Sequence, residues 1–271
     1  MRAALPLLVA TLLGLTSPAL PAAPKPPAPP AAPQVQPPPL RPVEAPEAFT
    51  YNVYVFGAHS GVARLEALPG RTRLTLRATL TSAGLFHTVY PVANQALATL
   101  DLASYLPDKF VMLTDEAHAV ARYLVKFSLA KKEILRTKTL RTKEGKLSWR
   151  DSSWRGYAPV YDMLSCLMHL RTRALAPGEE GTFWGFSGNF LYQVRYRVTE
   201  RGKAYTAQGL RDGVALMASV RRWDERKNKP SKDNWSKEVR LWFSDDERHV
   251  PLGIEVDLFV GAVKVVLSSV E

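Results

Sequence analysis

The sequence of 271 residues contains one cysteine, Cys166, which excludes an internal disulfide and a thiolate metal cluster. Cys166 sits in the apolar run Met163-Leu164-Ser165-Cys166-Leu167-Met168 and reads as a small buried hydrophobe rather than a nucleophile. Histidine is nearly as scarce. His59, His87, His118, His169 and His249 form no His-x-x-x-His or His-x-His pair, so no zinc site is expected. There is no Walker motif, no Gly-x-Gly-x-x-Gly phosphate loop and no Gly-x-Ser-x-Gly elbow. Gly185-Phe186-Ser187-Gly188 only echoes the last of these and reads as a loop between strands. These absences nominate no catalytic residue, no metal and no cofactor, and the expected class is non-enzymatic.

Acidic charge is also in deficit, with 36 Lys and Arg against 25 Asp and Glu, a formal net charge of +11. Such a balance favours anionic neighbours: lipid headgroups, acidic glycans or nucleic acid. The N-terminus lacks an apolar run of spanning length. Instead, Arg2 precedes the uncharged stretch Ala3 to Leu15, followed by small residues at Ala19, Ala22 and Ala23. That pattern predicts a signal peptide over 1–22. No cysteine lies there to carry a lipid anchor, so a periplasmic protein is expected, and export argues against nucleic acid as the partner. Eleven prolines fall between 24 and 46. They remove amide donors and fix φ, so 23–46 reads as a polyproline-II tether reaching roughly 70 Å.

From residue 47 to 271 the composition is that of one folded, mainly β domain. Alternation at period two predicts strands at Phe49–Phe56, Val62–Leu68, Arg73–Leu80, Phe110–Leu113, Tyr123–Leu129, Leu191–Val198, Tyr205–Leu210, Val214–Val220, Val239–Phe243, Val250–Leu258 and Gly261–Ser268. Pro69-Gly70 and Arg201-Gly202 read as short turns that favour antiparallel pairing. Residues 92–104 fit helix and strand equally. Residues 159–171 carry apolar side chains at 160, 163, 164, 167 and 170, a helical spacing. Many antiparallel strands with one helix imply a strongly curved sheet or incomplete β-barrel with that helix covering one open face. Its cavity would be filled by side chains or by an apolar ligand.

The most distinctive text is Leu241-Trp242-Phe243-Ser244-Asp245-Asp246-Glu247-Arg248-His249-Val250-Pro251-Leu252. It resembles the signature "LWLSDDxRRxPV" of a bacterial family of exported proteins, domain of unknown function 3108. Val260-Gly261 then supplies that family's Val-Gly step. Tyr51-Asn52-Val53-Tyr54 with Gly57 and Gly61 resembles its opening hairpin, and Asp162 to Arg171 its central helix. The resemblance covers most of 49–270 and implies a fold like that of the LolA/LolB lipoprotein carriers, a curved sheet wrapped on helices. It implies no activity. Read from the residues alone, Ser244-Asp245-Asp246 between Trp242 and Pro251 is a turn whose carboxylates satisfy backbone amides, in preference to a metal or acid–base pair.

Two basic stretches remain. Residues 126–155 hold ten Lys and Arg against three acids, and 221–240 hold eight against four, with Trp149, Trp154, Trp223 and Trp235 among them. Tryptophan interleaved with cations suits a membrane interface or glycan surface, and otherwise a solvated face over buried rings. Lys131, Lys132, Arg136, Arg221, Arg222 and Trp223 are the expected contacts for anionic headgroups. The function expected is a non-enzymatic periplasmic binding protein for a lipid or acylated envelope component, in peripheral contact with a membrane. The alternatives are a structural or adaptor subunit with an envelope protein partner, and a hydrolase of envelope polymers.

Overall fold

The computed structural model describes residues 43–271 except 118, 174, 226, 232–235 and 258–260. The signal peptide, most of the tether, His118, Lys232, Trp235 and Val260 therefore lie outside the described residues. Val43, expected in the tether, is buried, and its N–H donates to Tyr105 Oη at 2.9 Å.

The first eight strands form an unbroken meander: β1 (Glu47–Val55), β2 (Ala58–Pro69), β3 (Arg73–Ser82), β4 (Ala93–Asp101), β5 (Pro107–Glu116), β6 (Ala119–Ser128), β7 (Glu133–Thr142) and β8 (Leu147–Arg155). The chain then makes β9 (Val160–Asp162), β10 (Glu180–Phe186), β11 (Leu191–Thr206), β12 (Gly209–Asp224), β13 (Lys229–Pro230), β14 (Ser236–Ser244), β15 (Pro251–Asp257) and β16 (Ala262–Val270). One sheet joins them in the order β8-β7-β6-β5-β4-β3-β2-β1-β16-β15-β14-β12-β11-β10-β9, with β13 beside β12. The pairings are antiparallel except β9 with β10. Tight turns set the registers. Phe56 and Gly57 both have positive φ (53° and 80°), a two-residue loop of the kind that matches strand twist.

The sheet is strongly curved but does not close into a barrel, because β8 and β9 end it without pairing. Side chains bridge that seam instead. Trp154 of β8 meets Phe186 of β10 edge-on at 4.7 Å between ring centroids. Arg136 of β7 donates to Gly188 O at 3.2 Å and Asn189 Oδ1 at 2.8 Å.

Helix α1 (Gly84–Val89) is a single exposed turn and a half. Helix α2 (Met163–Arg171) is the covering helix. Asp162 caps it, accepting from Leu164 N at 2.8 Å and Ser165 N at 3.1 Å, which fixes where the helix begins. Met163 and Leu164 touch the apolar cluster around Phe110, Tyr123 and Phe186. Cys166 and Leu167 touch the one around Val194, Leu216 and Phe243, and Leu164 and Leu167 the one around Phe49, Leu65 and Leu252. Contact with all three places α2 inside the curve of the sheet.

Three expectations need correction. Residues 160–162 are strand, not the first turn of the helix: their amides pair with β10, and a buried Asp162 starts α2 instead. Arg201-Gly202 is not a turn. β11 runs through it with only a register shift between Val198 and Glu200, and the hairpin turns at Ala207-Gln208. Tyr205–Leu210 is accordingly two strand ends and a turn. The ambiguous 92–104 contains β4, whose Asn94, Ala96, Ala98 and Leu100 face inward.

Candidate apolar binding cavity

Small residues on the inner face of the sheet leave a space beneath α2. Ala78 on β3 stands opposite Ala96 on β4 and Leu65 on β2, while Ala63 on β2 stands opposite Leu80. Gly253 on β15 extends the same floor. Leu164 and Leu167 of α2 form the roof, and Val53, Ile254, Val263 and Val265 the far wall. The space measures about 220 Å³. Ala63, Ala78, Leu80, Leu164, Leu167, Ile254 and Val265 are only half-buried although they face inward, so the space opens to solvent.

Tyr51, Arg64 and Asn94, polar groups at its wall, are already engaged. Tyr51 Oη donates to Pro251 O at 3.1 Å, and burial raises its pKa. Arg64 turns away to Glu66 and Glu271. Asn94 donates to Glu116 Oε1 at 3.2 Å and accepts from Asp115 N at 3.0 Å. Glu116, held also by Tyr90 Oη at 3.1 Å, has its carboxyl pushed up by burial. No nucleophile with a paired base faces the space among the described residues. Cys166 is half-buried beside Gly185, and burial pushes its thiol well up, away from the thiolate.

The Ser-Asp-Asp segment lies at one end of this assembly and ties its parts together. Ser244 Oγ donates to Asp246 Oδ1 at 2.7 Å and accepts from Val250 N at 2.7 Å. Asp246 Oδ1 also accepts from Arg248 N at 2.9 Å. Asp245 pairs with Arg201 at the surface. From this turn Arg248 O accepts from Arg171 Nε at 2.8 Å, and His249 Nδ1 lies 3.0 Å from Arg171 O. Arg171, the last residue of α2, grips Glu47 of β1 through both terminal nitrogens, and Arg248 reaches the same carboxylate at 3.3 Å. Its guanidinium lies over Phe49. The turn thus fastens the end of α2 to β1 and to the β14–β15 connection. Trp242 is half-buried on β14, and Pro251 is buried at the start of β15.

The expected headgroup contacts are dispersed. Lys131 and Lys132 are exposed in the β6–β7 turn. Arg221 is exposed on β12, and Arg222 stacks over Phe190 at 3.6 Å. Arg136 and Trp223 do not fit the expectation. Arg136 is buried, bonds to Ser152 Oγ at 2.8 Å besides Gly188 and Asn189, and stacks on Trp154. Trp223 is buried with its ring 5.0 Å from that of Trp184. Both are buried, where packing at the seam uses them. The residues that form the cavity and its fastening (Ala63, Ala78, Ala96, Gly253, Glu47) had no signal of their own. Only strand register brings them together.

A curved antiparallel sheet plugged by one helix, with an apolar interior space, is a fold of beta-barrel-like class. Residues 50–268 match the family described as Protein of unknown function (DUF3108), and the chain belongs to that family. No curated protein matches it. Among solved structures, a beta-barrel-like protein of domain of unknown function DUF1849 from Brucella abortus is similar at 10% identity and a TM-score of 0.52, covering 84% of this chain and 97% of that one. At that identity the likeness is one of fold. A Bacteroides fragilis protein described as exported, with a YmcC-like fold, aligns at 10% identity and a TM-score of 0.36, over 86% of this chain and 98% of that one. A Parabacteroides distasonis protein described as a lipoprotein aligns at 7% identity and a TM-score of 0.35, over 85% of this chain and 97% of that one.

Proposed function

We propose that this is a non-enzymatic protein of the bacterial cell envelope that holds the apolar chain of a lipid or acylated envelope component beneath α2. The carrying observation is the solvent-open cavity of about 220 Å³ walled by aliphatic side chains. An apolar engineered cavity of about 150 Å³ already takes up benzene, whereas sites for drug-sized ligands run from about 300 Å³ upward. The volume therefore suits one acyl chain segment, with the rest of the ligand outside. The engagement of Tyr51, Arg64 and Asn94 at the wall supports binding over chemistry, and the signal-like N-terminus supports an extracytoplasmic setting.

The test is native mass spectrometry of the mature chain purified from its host, with wild type compared to Ala78→Phe, which fills the floor, and Leu167→Ala, which enlarges the roof. Wild type should carry acyl-chain mass. Ala78→Phe should lose it while keeping its circular dichroism, and Leu167→Ala should keep it. A wild type that is empty and takes up no added fatty acid, or a folded Ala78→Phe that is still loaded, refutes the reading.

A further inference from the structure

We propose that the hairpin of β7 and β8 docks this domain on the surface of an anionic lipid bilayer. The proposal does not depend on the cavity, and it places the contact on residues other than Lys131, Lys132 and Arg221.

The hairpin is one free end of the sheet, since β8 has a strand on one side only. Its outward face near the tip sets Leu147 opposite Arg141 and Trp149 opposite Thr139. Arg122 on β6 stands beside Thr139, and Val120 beside Arg141. The turn itself reads Lys143-Glu144-Gly145-Lys146. Trp149 is 76% exposed and Leu147 60% exposed. Around them stand Arg122, Arg141, Lys143 and Lys146, of which Lys143 acts on Glu144 in the turn, and the exposed Asp115 of β5 lies on the same face beyond Val120. Asp151, further from the tip on the same face, accepts from Thr137 Oγ1 at 2.6 Å.

Cations on a free edge strand are commonly explained as protection against strand-to-strand association. An indole left three-quarters in water at the centre of them is not. Such a ring, with an aliphatic neighbour and a fringe of lysine and arginine, matches the interfacial zone of a bilayer, where the ring sits among headgroups and the cations meet phosphates. The inner face of the hairpin adds to the charge. Lys138 and Arg150 stand directly opposite each other, with Arg136 two residues along β7, and like charges so placed repel. Burial first, then Arg136 and Arg150, lowers the Lys138 ammonium to about 8.

The test uses the full mature chain and sedimentation with vesicles. One set holds equal parts phosphatidylglycerol and phosphatidylcholine, the other phosphatidylcholine alone. Binding is expected to the first set and not to the second, and to fall steeply with added salt. Each cation near such a surface is worth about fivefold in affinity. Lys143→Glu with Lys146→Glu should therefore weaken binding about a hundredfold or more. Trp149→Ser should weaken it while preserving the unfolding midpoint. Lys131→Glu with Lys132→Glu should change it far less than the tip pair does. Absence of phosphatidylglycerol-dependent binding overturns the proposal, as does binding indifferent to Trp149→Ser and to the tip pair. So does RNA or polyglutamate binding as tightly as vesicles and unaffected by Trp149→Ser, which would mark a general polyanion surface.

Discussion

Two buried groups on α2 should make stability respond to pH in opposite directions, and removing either should expose the other. Asp162, the cap of α2, is fully buried, and desolvation raises its carboxyl from 3.8 to about 6 against the pull of its hydrogen bonds. His169 lies between Tyr161 and Phe183 with Nε2 2.9 Å from Arg173, and burial, aided by that arginine, lowers its imidazole from 6.5 to about 3. Between about pH 3.8 and 6 the folded chain keeps a proton on Asp162 that the unfolded chain has lost, so this group makes stability fall as pH rises. Between about pH 3 and 6.5 the unfolded chain carries a proton on His169 that the folded chain lacks, so this group makes stability rise. Each slope is about 1.4 kcal/mol per pH unit, and in the shared window they cancel. Over their full ranges the effects amount to at most about 3 kcal/mol for Asp162 and about 5 kcal/mol for His169.

Asp162→Asn keeps the oxygen that accepts from Leu164 N and Ser165 N and removes the ionisation. His169→Gln removes the other titration. Urea unfolding followed by tryptophan fluorescence at half-unit steps of pH gives the difference between each variant and wild type, in which all other titrating groups drop out. Relative to wild type, Asp162→Asn should gain stability as pH rises from about 4 to 6 and be no less stable at pH 7. His169→Gln should lose stability, relative to wild type, over the same rise. Differences that stay flat with pH for both variants would refute the assigned burial of these groups.

Two further outcomes concern the fastening of α2. Glu47→Ala leaves Arg171 buried without its carboxylate and should lower unfolding free energy by about 3–5 kcal/mol in urea titration, far more than Asp212→Ala at the exposed Lys203 pair. Asp246→Ala removes the acceptor for Ser244 Oγ and Arg248 N and should cost about 1–3 kcal/mol, with hydrogen exchange at Arg248 and Val250 amides accelerating before that of β5.

Which parts of the fold could be read in the sequence follows from side-chain contrast. β1, β14 and β16 set large apolar residues against polar ones, and their alternation is plain. β4 alternates alanine with leucine, threonine and glutamine, and small side chains blur the period. β7 and β8 escaped notice because cations occupy inward positions: Arg136, Lys138 and Arg150 stand where Ile134, Leu140 and Trp154 mark the buried face. β10 is hidden by Gly181, whose added Cβ would lie 2.6 Å from the Tyr196 ring, so ring and backbone share one space. The covering helix was legible from its apolar spacing. Its first residues were not, because the pairing of Val160 with Trp184 is decided by a distant strand. The signature turn showed its local chemistry in its aspartates, but its reach to Arg171 and Glu47 spans 77 and 201 residues of chain.

The unpaired seam between β8 and β9 has a mechanical consequence. Widening a closed barrel requires breaking a continuous ladder of backbone hydrogen bonds all at once. Here the circumference is interrupted, and what crosses the gap is side-chain contact: Phe127 and Trp154 against Phe186, the Arg136 guanidinium on Gly188 and Asn189, Asn189 on the Tyr123 hydroxyl, and the Trp154 indole donating to Glu225 at 2.8 Å. Rings slide and re-pack at little cost compared with amides that must find new partners. Strain on the wall would therefore be met first at this seam, where side-chain contacts and no backbone ladder hold the two edges, while α2 stays tied to β1 through Arg171 and Glu47.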